Sequence, residues 1–124
     1  MIERTSVKSF TKLPKGTRCM FRVMGKPEKI PVGKTTARVW KLQPDIPGIN
    51  AEIEYKVFPW QSKGILIAVG GKLVDDDVEW DDDKVDGKVF TATVDYVDGT
   101  KTNPNTGKPY QNLVLTDFEM ELDF

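Results

Sequence analysis

The chain has 124 residues, of which 39% are hydrophobic and 30% charged, so its size suits one domain and its composition is that of an ordinary globular protein. It contains one cysteine and no histidine, which excludes an intramolecular disulfide and histidine-based catalysis. The net charge of −1 hides an uneven distribution, because residues 1–66 are rich in Lys and Arg whereas residues 67–124 are rich in Asp and Glu. Either the basic half forms a binding face, or the two halves attract each other in the folded domain.

Three segments in the first half alternate apolar and polar residues with the period of two that is typical of β-strands. They are predicted strand 1 at residues 17–24, strand 2 at 35–42 and strand 3 at 51–58. The residues expected to face the core are Cys19, Phe21, Val23, Ala37, Val39, Ala51, Ile53, Tyr55 and Val57. This assignment turns Arg38 and Trp40 outward.

The alternation of apolar and polar residues stops after strand 3. Ser62 is a candidate N-cap there, and the apolar residues that follow indicate a short helix that ends before Gly70. Gly64 weakens that helix, because glycine costs about 1 kcal/mol relative to alanine in a helix interior. Residues 73–87 are predicted to form an acidic connecting loop, which we call the acidic connector. Two further alternating segments predict strand 4 at residues 88–97 and strand 5 at 109–122, joined by a long loop rich in turn-forming residues.

Five strands with one short helix between the third and the fourth match the Greek-key barrel of the oligonucleotide/oligosaccharide-binding (OB) fold. We therefore predict an all-β, five-stranded OB-fold barrel that spans residues 1–124 as a single domain. The main alternatives are an SH3-like barrel, which does not require the helix, and a sandwich, which usually has more strands.

Two segments have partial similarity to ligand-binding motifs but lack residues that those motifs need. Gly33-Lys34-Thr35 resembles the end of a phosphate-binding loop, yet Glu28 stands where the first glycine is required. The acidic run from Asp81 does not have the spacing of a calcium-binding EF-hand and is predicted to be a solvated loop. The sequence therefore predicts no metal and no cofactor, and we expect that the protein is not an enzyme.

Basic and aromatic residues collect on the predicted strands 1–3 and on the last hairpin. In an OB barrel the binding surface is formed by strands 2 and 3 with the loops that join strands 1 to 2 and strands 4 to 5. Proteins that hold single-stranded nucleic acid combine cations that contact phosphates with aromatic rings on which bases stack. The predicted phosphate-binding residues are Arg18, Arg22, Arg38, Lys56, Lys101 and Lys108, and the predicted stacking residues are Trp40, Phe58, Trp60 and Tyr110. Because Glu52 and Glu54 would repel phosphate, we expect contact nearer the Phe58 end of strand 3.

Three motifs carry a resemblance to a known family: LPKGT at residues 13–17, FPW at 58–60 with KGIL at 63–66, and TGKPYQN at 106–112. In these segments the chain resembles small phage-type single-stranded DNA-binding proteins of OB fold. The resemblance implies sequence-tolerant binding of single-stranded DNA during replication or recombination. The acidic C-terminus, which closes in Phe124, is similar to tails with which such proteins recruit replication partners, although its alternation fits a continuing strand equally well.

The sequence thus predicts a non-catalytic protein that binds single-stranded DNA, with replication or recombination proteins as further partners of its acidic half or C-terminus. The alternative function, from a different class, is that of an OB-fold protein-interaction or structural module without nucleic-acid binding. The acidic pI of about 5.5 favours this alternative. The longest apolar run is too short to span a bilayer, and the first residues lack the apolar core of a signal peptide. We therefore expect no membrane association and a cytoplasmic location in a bacterium or a phage-infected host cell.

Overall fold

A computed structural model describes residues 13–120 of the chain. In that range the strands are β1 (Arg18–Val23), β2 (Glu28–Val32), β3 (Thr35–Pro44), β4 (Ile53–Val57), β5 (Lys72–Val74), β6 (Asp77–Glu79), β7 (Val89–Thr102) and β8 (Pro109–Met120). A short 3-10 helix (Pro59–Gln61) and the helix α1 (Lys63–Ala68) follow β4. Within the described residues, no helix combines the length and the apolar character needed to cross a membrane.

Six strands form one antiparallel sheet that is organised around the long strand β3. On one side β3 pairs with β4, and on the other it pairs with β2 through its first half and with β1 through its last residues. The sheet continues from β1 to β7 and from β7 to β8. The strands β2, β4 and β8 therefore each have a single neighbour in the sheet, and between residues 13 and 120 no pairing of β4 with β8 closes the sheet into a barrel.

The prediction of a mostly antiparallel β-protein with one short helix before the last two long strands is confirmed. Two segments predicted as loops, residues 25–33 and the acidic connector at 73–87, contain strands instead. The segment after strand 1 contains β2, whose Pro31 is compatible with a strand at the sheet edge. The acidic connector contains the β5–β6 hairpin, in which Asp75 adopts a left-handed φ of 54° that aspartate tolerates in a tight turn. The final residues of predicted strand 5 and the acidic C-terminus, 121–124, lie outside the described residues.

The core is formed where one face of the sheet packs against α1. The predicted inward faces of strands 1 and 3 are confirmed at their centres, since Phe21 and Val57 are buried, whereas Ala51 is exposed before β4 begins. Phe90 on β7 is buried as well. The rings of Phe21 and Phe90 stack with centroids 5.7 Å apart, which joins β1 to β7 across the core. Tyr55 on β4 is also buried and receives a backbone hydrogen bond from Leu115 on β8, so β4 and β8 meet through this side chain.

The predicted orientation of β3 is wrong. Trp40 is only 1% exposed and lies in the core beside Leu42, whereas the sequence prediction turned it outward. Ala37 and Val39 are buried as well, but they point to the opposite face and do not belong to the core cluster. The strand has apolar residues in both phases, and the larger pair, Trp40 and Leu42, occupies the core because it removes more apolar surface from water.

Gly64 lies inside α1, where its lack of a side chain allows the helix to approach β8. A Cβ atom at this position would be 2.6 Å from Cδ2 and 2.8 Å from Cε2 of the Phe118 ring. That ring packs in turn on Phe90, with centroids 5.6 Å apart. The glycine that weakens the helix in isolation is therefore the residue that lets the helix dock on the sheet.

We expect Gly64→Ala to lower the free energy of unfolding by about 1–3 kcal/mol, because overpacking against Phe118 outweighs the gain in helix propensity of about 1 kcal/mol. Urea denaturation followed by circular dichroism measures the difference. The control repeats Gly64→Ala in a Phe118→Leu background, where the ring is gone and the loss should shrink. A stabilising effect of Gly64→Ala in the wild-type background would contradict the packing argument.

Candidate nucleic-acid interface

The most exposed aromatic residue described lies immediately after β4. The Trp60 side chain is 71% exposed, and its ring stacks on that of Phe58 with centroids 4.9 Å apart and planes only 6° from parallel. The ammonium of Lys56 lies 5.4 Å from the centre of the Phe58 ring. Three residues that the sequence predicted as site residues are thus brought together in one stack, which we call the aromatic platform (Lys56, Phe58 and Trp60).

The backbone after β4 holds this platform in place. Pro59 begins the 3-10 helix, where its fixed φ is favourable and its missing N–H is not needed. The N–H of Gln61 donates to the carbonyl of Phe58 at 2.9 Å, and the hydroxyl of Ser62 donates to the carbonyl of Pro59 at 2.7 Å. The turn therefore places Phe58 and Trp60 two residues apart with their rings on the same side.

The platform continues onto a face of the sheet that carries further cations. Directly paired residues share a face of a sheet, so Lys41, which pairs with Glu54, lies on the same face as Lys56. Arg22 pairs with Gln43, which places its exposed side chain diagonally across from Lys41. The sequence prediction missed Lys41, because the inverted orientation of β3 had turned it inward. Its position opposite Glu54 offsets the repulsion that this carboxylate would exert on phosphate.

Arg18 and Arg38 are engaged in contacts within the protein. The Arg18 guanidinium donates to the carbonyl of Asp117 at 2.8 Å and to a carboxylate oxygen of Glu119 at 3.1 Å, so it ties β1 to β8. Arg38 lies on the core side of β3, where its guanidinium carbon is 4.7 Å from the centre of the Trp80 ring. Arg18 thus shares a face with Arg22, but its guanidinium is taken up by contacts within the protein. Arg38 lies on the other face, and Trp40 lies beneath the surface.

The acidic connector forms ion pairs with Lys26, which follows β1, and with Arg38 on β3. Lys26 forms ion pairs with Asp82 at 3.6 Å and with Asp83 at 3.1 Å, and Arg38 lies 3.8 Å from Asp82. The hydrogen bond from Lys26 to Asp83, together with both carboxylate charges, raises the pKa of the Lys26 ammonium. The carboxylate oxygens of Asp81, Asp82 and Asp83 lie within 4.8 Å of one another. Those of Asp82 and Asp83 form the ion pairs, and an oxygen of Asp81 accepts a hydrogen bond from the backbone N–H of Asp83.

The other predicted residues belong to a separate region at the β7–β8 hairpin. Lys101, Lys108 and Tyr110 are exposed there, with Tyr110 49% exposed. Lys108 and Tyr110 line a mainly apolar groove of about 920 Å³ that also includes Ile53 at the start of β4. Since Phe58 follows the other end of β4, the groove and the aromatic platform are roughly 17 Å apart along that strand.

Comparisons of the chain with known protein families, with curated proteins and with solved structures find no match. The resemblance to phage-type single-stranded DNA-binding proteins accordingly stays an expectation based on the three sequence motifs.

Proposed function

We propose that this protein binds single-stranded DNA with little sequence preference and serves replication or recombination without catalysing a reaction. The observation that carries the proposal is the stack of Trp60 on Phe58, because a broad aromatic surface is held open to solvent where a folded domain would normally bury it. Stacking on exposed aromatic rings is how sequence-tolerant proteins hold bases. Lys56 supplies positive charge beside the rings, and Lys41 and Arg22 supply it farther along the same face of the sheet.

We further propose that the sheet is a variant of the OB fold. In this interpretation β1 and β2 together correspond to its first strand, and β3, β4, β7 and β8 correspond to the other four. The helix between β4 and β7 and the contact of β4 with β8 through Tyr55 support this correspondence. The platform would then lie on the surface of the third strand, and the β7–β8 hairpin would be the loop that extends the binding surface.

A titration of intrinsic tryptophan fluorescence with oligo-dT tests the DNA-binding proposal. Trp40 is buried and Trp80 is partly buried, so quenching by the oligonucleotide reports chiefly on Trp60. We expect saturable quenching whose affinity falls steeply as salt rises, because neutralised phosphates release their counterions. The absence of a response at low salt would overturn the proposal.

Removing the acids that hold Lys26 is expected to strengthen binding. In a protein with Asp82→Asn and Asp83→Asn, Lys26 loses both of its ion pairs, and we expect the dissociation constant for oligo-dT to fall about threefold at low salt. The matched control, Asp75→Asn with Asp76→Asn, removes the same two charges at the β5–β6 turn. Equal gains in the two proteins would attribute the effect to net charge and contradict a specific role of Lys26.

The second candidate function is that of a protein-interaction module. It is favoured by the β5–β6 hairpin, where Leu73 and Val74 are 54% and 46% exposed next to a run of aspartates. An apolar tip with acidic neighbours would suit a basic protein partner. This candidate requires that Leu73→Ala impair function while Trp60→Ala leaves it unchanged, which is the reverse of the DNA-binding proposal.

A further inference from the structure

A second cavity adjoins the aromatic platform on the core side of the sheet. Its volume is about 300 Å³, at the lower end of the range for small-molecule pockets. Pro59, the residue between Phe58 and Trp60, forms part of its wall, so a strand stacked on the platform passes beside this cavity. The lining residues are Thr36, Arg38, Trp40, Val57, Pro59, Ser62, Leu66 and Trp80.

Aromatic and aliphatic side chains form much of the wall of this cavity. The Trp40 and Trp80 rings lie 5.7 Å apart between centroids and are inclined by 31°. Val57 and Leu66 add aliphatic surface from β4 and α1. Because Trp40 is only 1% exposed, a planar ligand in the cavity would stack on the partly exposed Trp80 ring. A nucleobase is the planar group that a bound DNA strand carries at every position.

Arg38 gives the cavity a hydrogen-bond donor. Its Nη1 atom is buried and has no hydrogen-bond partner within the described residues, while the guanidinium lies over the Trp80 ring. A buried donor without an acceptor is unfavourable, so a ligand atom that accepts a hydrogen bond would be stabilised there. Asp82, 3.8 Å from the same nitrogen, already balances the positive charge and would repel a phosphate. The chemistry therefore favours a neutral acceptor.

We propose that this cavity takes one base of a DNA strand bound on the platform and prefers guanine. Guanine presents two acceptors, O6 and N7, along one edge, and this edge matches the paired donors of an arginine. Adenine offers N7 beside an amino group that cannot accept, and thymine lacks a second acceptor in that position. The inference rests on the proposed DNA binding, and it adds a base preference at one position to stacking that is otherwise sequence-tolerant.

The experiment compares wild-type protein bound to oligo-dT with the same oligonucleotide in which one central base is guanine, 7-deazaguanine or adenine. We expect guanine to lower the dissociation constant at least fivefold relative to adenine and to 7-deazaguanine, which lacks the N7 acceptor. Equal affinities for the three purines would overturn the guanine pocket. If oligo-dT still binds in that case, the platform proposal survives on its own; if no oligonucleotide binds, both proposals fail.

Arg38→Lys provides the protein-side test, because lysine keeps the charge but loses the planar pair of donors. We expect this variant to retain the oligo-dT affinity of the wild type and to lose discrimination among the three purines. A guanine preference that persists in the variant would also overturn the role of Arg38. The comparison of the three purines on the wild-type protein is decisive even if Arg38→Lys does not fold.

Discussion

Replacing Trp60 by alanine is expected to raise the dissociation constant for single-stranded DNA about tenfold, within a range of roughly 5- to 150-fold, because stacking contributes about 1–3 kcal/mol per base. The ring is 71% exposed, so its removal should leave the fold intact. Fluorescence anisotropy of a labelled oligo-dT measures the change. It does not depend on tryptophan emission and therefore applies equally to the variant.

The matched control for Trp60→Ala is Leu73→Ala, which also removes an exposed apolar side chain, from the β5–β6 hairpin. We expect this control to bind DNA as the wild type does. Both variants should unfold at the same urea concentration as the wild type, within error. A normal affinity in Trp60→Ala, with the fold intact, would mean that bases do not stack on the platform.

Trp40→Ala is expected to destabilise the protein by about 3–5 kcal/mol, because it empties the space of a fully buried ring in the core. That loss is a large share of the 5–15 kcal/mol that typically stabilises a domain. The Trp40 ring packs against Trp80, and Trp40 on β3 lies directly opposite Tyr55 on the neighbouring strand β4. Urea denaturation measures the loss, and Trp40→Phe, which retains an aromatic ring, should lose less.

The result for Trp40→Ala also decides between the two orientations of β3. If the tryptophan faced outward, as the alternation of Ala37 and Val39 suggests, its removal would weaken DNA binding and leave stability nearly unchanged. A loss of less than about 1 kcal/mol would therefore contradict the buried position, since exposed substitutions usually stay within about 0.5 kcal/mol.

Strands with apolar residues in a single phase were predictable from the sequence, including the faces they turn to the core. Phe21 on β1 and Tyr55 on β4 are examples. The prediction for β3 was wrong because that strand is apolar in both phases, and alternation alone does not say which phase meets the larger space. The burial of Trp40 depends on α1 and on Trp80, which come from distant parts of the sequence.

The candidate site was predictable only where neighbouring residues form it. Lys56, Phe58 and Trp60 lie within five residues of one another, and a local turn brings them together. Arg18 and Arg38 were predicted to bind phosphate because the sequence alone does not show their ion pairs. Their partners, Glu119 and Asp82, are far away in the sequence. Their engagement becomes visible once β8 and the acidic connector are placed beside them.

Photocrosslinking tests most directly whether bound DNA lies on the platform. An oligo-dT that carries 5-iododeoxyuridine is irradiated in complex with the wild-type protein, and the modified tryptic peptide is identified by mass spectrometry. We expect the crosslink in residues 57–63, the peptide between Lys56 and Lys63 that contains both Phe58 and Trp60. Crosslinks confined to other peptides, from an oligonucleotide that demonstrably binds, would contradict the platform as the site of DNA binding.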